Sequence, residues 1–222
     1  MIDIVTINLN NKNGLEKTIA SVINQTYFDK INYIIIDGDS TDGSKEVIEE
    51  YKDKLFYWVS EPDKGIFNAM NKAVDRLVGD YVLFLNSGDF LHSSDVIEKV
   101  YNRLDKDIVF GNEVFFFNNG SYFLSTYQSV LDEAFFMRSA LPHQSTFIRV
   151  PLMKAHKYNE SCTIAGDWTF FREAIMKYGA TYKYLPDMTI SNYGCNGISS
   201  THFHIFVEEK QKYYRQLNMM NR

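Results

Sequence analysis

Cysteine is nearly missing from this chain of 222 residues, which has two, Cys162 and Cys195. They lack metal-ligand spacing and are too few for a disulfide framework, so both read as packing residues of a reducing compartment. Positive charge is not in excess either. With 23 Lys and Arg against 28 Asp and Glu, the formal net charge is -5, which argues against general binding to a nucleic-acid backbone while leaving room for a local basic pocket. Nowhere do roughly 18 apolar residues follow one another, so no segment reads as a membrane span. The N-terminal residues carry neither the basic start nor the apolar core of a secretory signal. No internal repeat, low-complexity tract or linker stands out. These absences predict a soluble, cytoplasmic protein. The length and a hydrophobic share of 45% suffice for one sizeable core. Aromatic residues are plentiful, 17 Phe and 15 Tyr, and their concentration late in the chain offers a surface for a second copy, as in a homodimer.

The densest signal lies in residues 81–89, YVLFLNSGD. The uncharged run Tyr-Val-Leu-Phe-Leu is of the kind buried on both faces of a parallel sheet, although a buried helix segment has the same pattern. Polarity then flips to Asn86-Ser87-Gly88-Asp89. These are common turn formers. Ligands in open α/β sheets, however, sit just beyond the carboxyl ends of strands, and a carboxylate presented there beside an amide can hold a hard cation.

Upstream, residues 2–9 read as a strand rich in β-branched residues. Asn8, Asn10, Asn11, Asn13 and Gly14 form a polar loop, and Leu15, Ile19, Val22 and Ile23 recur at helical spacing as far as Gln25. Residues 31–36 make a second strand ending in DGDSTDG, residues 37–43. Val47, Ile48 and Tyr51 mark a helix, residues 56–60 a strand, and residues 65–77 a helix with Ile66, Met70, Ala73 and Leu77 on one side. Strand and helix alternating at this spacing predict an α/β fold with a mostly parallel central sheet. After Asp89 the rhythm changes. A helix runs through Val96, Ile97, Val100 and Leu104, and strands over 108–117 and 121–126 are joined by Asn118-Asn119-Gly120. Then come a strand over 145–150, a helix over 168–178 opened by Asp167, an extended stretch over 181–193 and a helix over 203–220. This predicts one domain in three parts: a nucleotide-binding half (residues 1–90), a mixed half for a second substrate (91–200) and a C-terminal helix (201–222).

Some of these residues carry more than local structure requires. Asp37 ends an apolar strand, where a carboxylate can accept hydrogen bonds from a nucleobase or ribose; residues 40–42 are accounted for by helix capping. Lys64, ahead of a helix, can face a diphosphate, because helix N-termini attract anions; a solvated lysine in an ordinary loop is the plainer account. Asn68 and Asn71 share a helix face, and asparagine is a poor enough helix former that two there invite a polar explanation. In the last helix Phe203, Phe206, Val207, Tyr213, Tyr214, Leu217 and Met220 fall near one face. Packing on its own domain explains this. Shallow seating at the inner face of the cytoplasmic membrane is the alternative, weakened by the mixed charges of Glu208, Glu209, Lys212 and Arg215.

The segments IDGDSTDGS, SEPDKGIFNAMNKAV and GDYVLFLNSGD, in this order, resemble glycosyltransferase family 2, especially bacterial polysaccharide and lipopolysaccharide transferases. HQSTF at residues 143–147, AGDW at 165–168 and YGCNGIS at 193–199 extend the likeness from Val5 to about Ser200. Each motif is weak alone; their order and spacing make the set specific. The resemblance implies a GT-A, Rossmann-like, nucleotide-sugar-binding fold. It also implies inverting transfer from a nucleotide sugar, by default a UDP-sugar, to a glycan or lipid-linked acceptor in bacterial surface polysaccharide synthesis. Carried onto matching positions, Thr6 and Asp37 contact the nucleoside, Lys64 meets the diphosphate, and Asn71 and Asn86 belong to the donor site. Asp89 is the implied ligand of a divalent metal, Mn²⁺ or Mg²⁺. Here the chain departs from the family, because Asn86 and Gly88 stand where acidic residues are common. His202 and His204 are candidates to complete the metal site, each also explained as a surface or packed histidine.

Asp167 matches the family's catalytic base, which takes the proton from the acceptor hydroxyl; capping is its plainer account. His143 and Trp168 fall on the acceptor side, and a structural histidine explains His143 equally well. Two other readings stay open. One is a non-catalytic nucleotide- or glycan-binding module of the same fold, favoured by the thinned acidic element. The other is a sugar-nucleotide nucleotidyltransferase, against which residues 8–13 stand, since such enzymes carry a Gly-rich segment with Arg and Lys after the first strand.

Overall fold

The computed structural model describes residues 1–117, 119–194, 197 and 201–220. Four apolar segments become parallel strands, β1 (Ile2–Asn8), β2 (Ile31–Asp37), β3 (Tyr57–Ser60) and β4 (Tyr81–Phe84), joined by helices α1 (Lys12–Ile23), α2 (Ser44–Tyr51) and α3 (Ile66–Val74). Alternate side chains of these strands point to opposite faces, and both faces are covered. Val5, Ile7, Ile34 and Ile36 pack with Phe67, Met70 and Ala73 of α3, while Ile4, Tyr33, Ile35 and Leu83 pack with Leu15 and Ile19 of α1 and Val47 and Ile48 of α2. Two-sided burial is why these strands show no polar alternation.

The later residues add β5 (Phe90–Leu91), α4 (Val96–Tyr101), β6 (Ile108–Phe116), β7 (Tyr122–Ser125), α5 (Glu133–Arg138), β8 (Thr146–Arg149), α6 (Val150–Ala155), α7 (Gly166–Met176), β9 (Tyr182–Gly194) and α8 (Phe203–Met220). One sheet runs in the order β3-β2-β1-β4-β8-β6-β9-β5, with β7 paired to the outer part of β6. β8 enters antiparallel between β4 and β6 and joins the parallel part to the mixed part. β9 lies parallel to β6, with its register slipping on either side of Asn112. The expected α/β fold with a mostly parallel first half and a mixed second half is present.

Local differences from the sequence expectation have physical causes. α1 starts at Lys12 because Asn11 caps it, its side-chain oxygen accepting from the Gly14 N–H at 3.2 Å. α3 and α4 stop at Val74 and Tyr101, short of Leu77 and Leu104. The strand expected over 145–150 ends at Arg149, since Val150 and Pro151 open α6 and proline suits a first helical turn, where its missing N–H has no partner to lose. α5 and β5 are too short to show a period. α7 begins at Gly166, so Asp167 lies within its first turn.

The predicted hairpin forms from β6 and β7, and the Phe117 N–H donates to the Ser121 carbonyl at 3.0 Å. Asn118 lies outside the described residues, as do Cys195, Asn196, Ile198 and Ser199 of YGCNGIS and the side chain of Met220. Cys162 is a free, partly buried thiol. α8 packs on the rest of the fold through Phe206, Tyr213 and Tyr214. The Tyr213 ring meets Trp168 edge-on at 5.4 Å, and the Tyr213 hydroxyl accepts from Arg172 Nη1 at 2.7 Å.

Candidate active site

The carboxyl ends of the parallel strands gather polar residues at one edge. Asn8 and Asp37 are register partners, and so are Asp37 and Ser60. The buried Asp37 carboxylate accepts from Asn8 Nδ2 (2.8 Å), Ser40 Oγ (2.6 Å), the Ser40 N–H (2.9 Å) and Ser60 Oγ (2.7 Å). Burial pushes it towards the neutral acid, but the hydrogen bonds outweigh burial and hold its pKa below the usual carboxylate value. Lys64 is exposed, just before α3.

Three residues expected at the site, Thr6, Asn71 and Trp168, make hydrogen bonds within the fold. The Thr6 hydroxyl is fully buried, donates to the Leu85 carbonyl at 2.8 Å and pairs with Tyr33 Oη at 3.0 Å. The Asn71 amide clamps the Tyr158 backbone, donating to its carbonyl at 2.9 Å and accepting from its N–H at 3.0 Å, and also reaches Glu160. Asn68 donates to the same Glu160 at 2.8 Å, so the polar role of the asparagine pair is to pin residues 158–160 to α3. Trp168 is core, with its Nε1–H donating to the Phe136 carbonyl at 2.9 Å.

The centre of the site forms where β4 ends. Thr18 of α1 holds the Asn86–Asp89 turn, its hydroxyl donating to the Asp89 carbonyl at 2.6 Å and accepting from the Gly88 N–H at 3.0 Å. Gly88 adopts φ 105°, a left-handed conformation that favours glycine. Asn86 Nδ2 lies 3.1 Å from His143 Nε2, and His143 Nδ1 lies 2.9 Å from Asp167 Oδ2. Nδ1–H therefore donates to the carboxylate while Nε2 accepts from the amide, the pattern of a neutral imidazole. The other Asp167 oxygen accepts from the Trp168 N–H at 2.7 Å. Gly166 lets this helix start come close to α3, because a Cβ on it would lie 2.6 Å from the Phe67 ring. The N–H groups ahead of α7 have no side-chain cap from Ala165; instead Glu209 of α8 accepts from Ile164 (3.0 Å), Ala165 (2.7 Å) and Thr163. A cavity of ≈ 570 Å³ opens beside Asp167 and His143. Glu113, Gln144, Tyr127 and Arg138 line it, with Phe115, Phe135, Tyr193 and Phe206 among its apolar walls.

Two further carboxylates surround His143. Glu113 accepts from Tyr127 Oη and Gln144 Nε2, and burial pushes its pKa up to about 7 despite these bonds. Burial likewise raises Asp89 to about 6, opposed by the Gly194 N–H at 3.0 Å, by His143 and by Lys17. Burial disfavours the imidazolium of His143, but the hydrogen bond and charge of Asp167, with Asp89 and Glu113 behind it, raise its pKa overall. Lys17 lies over the Phe90 ring at 3.7 Å; burial lowers its pKa against the pull of Asp89.

Among the described residues no three His, Cys, Asp or Glu side chains are placed to hold a metal ion by themselves, and His202 and His204, both exposed, complete no such group. Asn86 Oδ1 and Asn8 Oδ1 are buried acceptors without a hydrogen-bond partner among the described residues. One carboxylate and one unpaired amide oxygen on the Asn86–Asp89 turn fit a hard cation that takes the rest of its ligands from phosphates and water, as Mg²⁺ commonly does.

Residues 3–179 match the family described as Glycosyl transferase family 2. The chain belongs to this family. An uncharacterised glycosyltransferase of Mycobacterium tuberculosis is 35% identical over 103 residues, covering 46% of this chain and 39% of that protein. A PGL/p-HBAD biosynthesis glycosyltransferase of Mycobacterium bovis is 26% identical over 212 residues, 90% of this chain and 80% of that protein. Among solved structures, S. aureus TarS 1–349 in complex with UDP matches with a TM-score of 0.71 at 18% identity, over 87% of this chain and 60% of that one. The mannosyltransferase PcManGT of Pyrobaculum calidifontis in complex with GDP-Man and Mn²⁺ matches with a TM-score of 0.64 at 14% identity, over 86% and 56%. The family 2 chain thus has the GT-A fold, and its match spans about two fifths of the first mycobacterial relative and three fifths of TarS.

In this family 2 chain, sequence reasoning did not single out Glu113, Gln144, Lys17 or Glu209 as site residues. Glu113 carried a signal, being the one charged residue in the stretch 108–117, and Gln144 stands inside HQSTF. Lys17 and Glu209 carried none, because their roles arise only when distant elements pack.

Proposed function

We propose that this family 2 chain is an inverting glycosyltransferase that moves a sugar from a nucleoside diphosphate sugar, by default a UDP-sugar, to a hydroxyl of a glycan or lipid-linked acceptor. The observation that carries this reading is the chain of two hydrogen bonds, 3.1 and 2.9 Å, that runs Asn86–His143–Asp167. It ties the turn after the last parallel strand to a carboxylate beside a cavity large enough for a sugar ring. Residues 1–90 form the donor half and residues 91–200 the acceptor half, and the helix α8 (Phe203–Met220) closes the latter.

The acceptor hydroxyl oxygen attacks the anomeric carbon on the face opposite the diphosphate, and Asp167 takes its proton. The bond from that carbon to the diphosphate oxygen breaks, and its electron pair leaves with the diphosphate. His143 fixes the Asp167 carboxylate for this task. Asp37 and the amides of Asn8 and Asn86 edge the nucleoside end, and Lys64 faces the departing charge from the start of α3. Asp89, with the Asn86 amide oxygen, would hold a divalent ion, which would neutralise the diphosphate. Thr6, Asn71 and Trp168 play structural parts.

Asp167→Asn tests the base. It should lower donor turnover, read as nucleotide release, by roughly a hundredfold or more, while calorimetric affinity for the nucleotide stays unchanged. Activity retained at the wild-type level would remove Asp167 from the role. The anomeric configuration of the product, read by NMR, tests inversion directly.

A further inference from the structure

From residue 114 to residue 131 the sequence contains no Asp, Glu, Lys, Arg or His. This uncharged stretch includes most of the β6–β7 ribbon. The outer end of β6 pairs with β9 as far as Phe116 on one edge and with β7 on the other, and β7 pairs with β6 alone among the described strands. Cross-strand partners share a face, and both faces of the ribbon are apolar. On one, the rings of Phe115 and Phe123 stack at 4.6 Å, with Phe117 at 6.0 Å from Phe123. On the other, Phe116 faces Tyr122 at 5.9 Å and Val114 pairs with Leu124. Most of this surface meets solvent: Tyr122 is 70% exposed, Leu124 53% and Phe123 48%. Exposed apolar area of this kind marks an interaction site.

We propose that the β6–β7 ribbon seats the protein in the interfacial layer of a lipid bilayer, as a peripheral contact. Two-sidedness decides the partner. A protein laid on one face would leave the rings of the other in water, and a strand added along the β7 edge would cover neither face. A lipid interface surrounds both. The open edge of β7 keeps hydrogen-bonding groups that hydrocarbon would leave unsatisfied, so the ribbon lies at headgroup depth, where Tyr and Phe are favoured and the polar Asn119-Gly120-Ser121 tip stays hydrated. No helix among the described residues is long and apolar enough to cross a membrane, which leaves the contact peripheral. The absence of charge on the ribbon and the net charge of -5 make the attraction apolar and independent of anionic lipid. Phe115 and Ser125 of the ribbon also line the cavity beside Asp167, so seating the ribbon brings the cavity mouth to the lipid surface.

Flotation with vesicles of pure phosphatidylcholine tests this without any assay of transfer. Wild-type protein should float with them, and the double variant Tyr122→Ser, Leu124→Ser should lose roughly tenfold or more of its bound fraction, each exposed side chain contributing about one decade of affinity. Phe117→Ser should weaken binding through the other face. Melting temperature and nucleotide affinity should match wild type in all variants, so that a folding defect is recognised. The proposal is overturned if wild type stays unbound to neutral vesicles, if it floats only with phosphatidylglycerol, or if the double variant floats like wild type. It is equally overturned if wild type sediments as a dimer that the double variant converts to monomer, because the ribbon is then a self-interface.

Discussion

Exchange of Glu113 for glutamine removes a charge that the fold disfavours. The side chain is 2% exposed, and its pKa rises from 4.5 to about 7, chiefly through burial, with Asp89 adding to the rise and the Tyr127 and Gln144 bonds and His143 opposing it. The folded chain therefore holds a proton over a range in which the unfolded chain has released it. Stability from this group is fully present below pH 4.5 and is lost as pH rises through 7. A shift of this size corresponds to roughly 3 kcal/mol, most of it between pH 5 and 8. Asp89, raised from 3.8 to about 6, acts with the same sign at slightly lower pH. His143 also acts with that sign, since its raised pKa means that stabilising protonation is lost as pH rises. Urea unfolding should accordingly show wild type less stable at pH 8 than at pH 5.5. Glu113→Gln should gain about 2 kcal/mol at pH 8 with an unchanged urea slope, and its pH dependence should flatten. A variant as stable as wild type or less at pH 8, with the same slope, would refute the reasoning, because it would require a counter-charge that stabilises ionised Glu113.

Glu209→Ala should lower stability by about 1–2 kcal/mol, the range of a lost helix cap, and should reduce turnover more than nucleotide affinity, because Asp167 follows the N–H groups that Glu209 holds. Equal losses of turnover and affinity would count against a local effect at α7, and Glu209→Gln should recover part of the stability. Asp89→Ala should bring nucleotide affinity measured with Mn²⁺ down to the level seen with chelator; if wild type itself binds equally with and without chelator, Asp89 holds no metal. Calorimetry with UDP, GDP and dTDP should show one preferred nucleotide, whereas failure of all three to bind would favour a module that has lost donor recognition.

The parallel half was legible in the sequence because each strand is buried on both faces and so reads as an unbroken apolar run, as in Ile31–Asp37. The Asn86–Asp89 turn and Asp167 were legible from their motifs. Other parts depend on contacts that no local pattern encodes. Asn68 and Asn71 asked for a polar partner, but only the packing of residues 158–160 on α3 shows that Glu160 and the Tyr158 backbone supply it. Thr6 was named through the family resemblance and not through a local motif, and its hydroxyl lies in the core, where Tyr33 meets it. Glu113 stands out by charge, while its burial depends on Tyr127 and Gln144, which come from distant segments to cover it. The short α5, α6 and β5 lie below the length at which periodicity can be read.

The pairing of Asp89 with the Gly194 N–H spans 105 residues, which bears on the order in which the protein is made. A ribosome delivers the four parallel strands and the Asn86–Asp89 turn early, and these can collapse on their own helices while synthesis continues. Asp89 stays open to water until β9 emerges and is laid beside β6 and β5. Only then is the carboxylate buried, and the last helix must still arrive before Glu209 can hold the start of α7. Nascent or truncated chains that end before Tyr182 should therefore possess the edge formed by the parallel strands while Asp89 remains open to water.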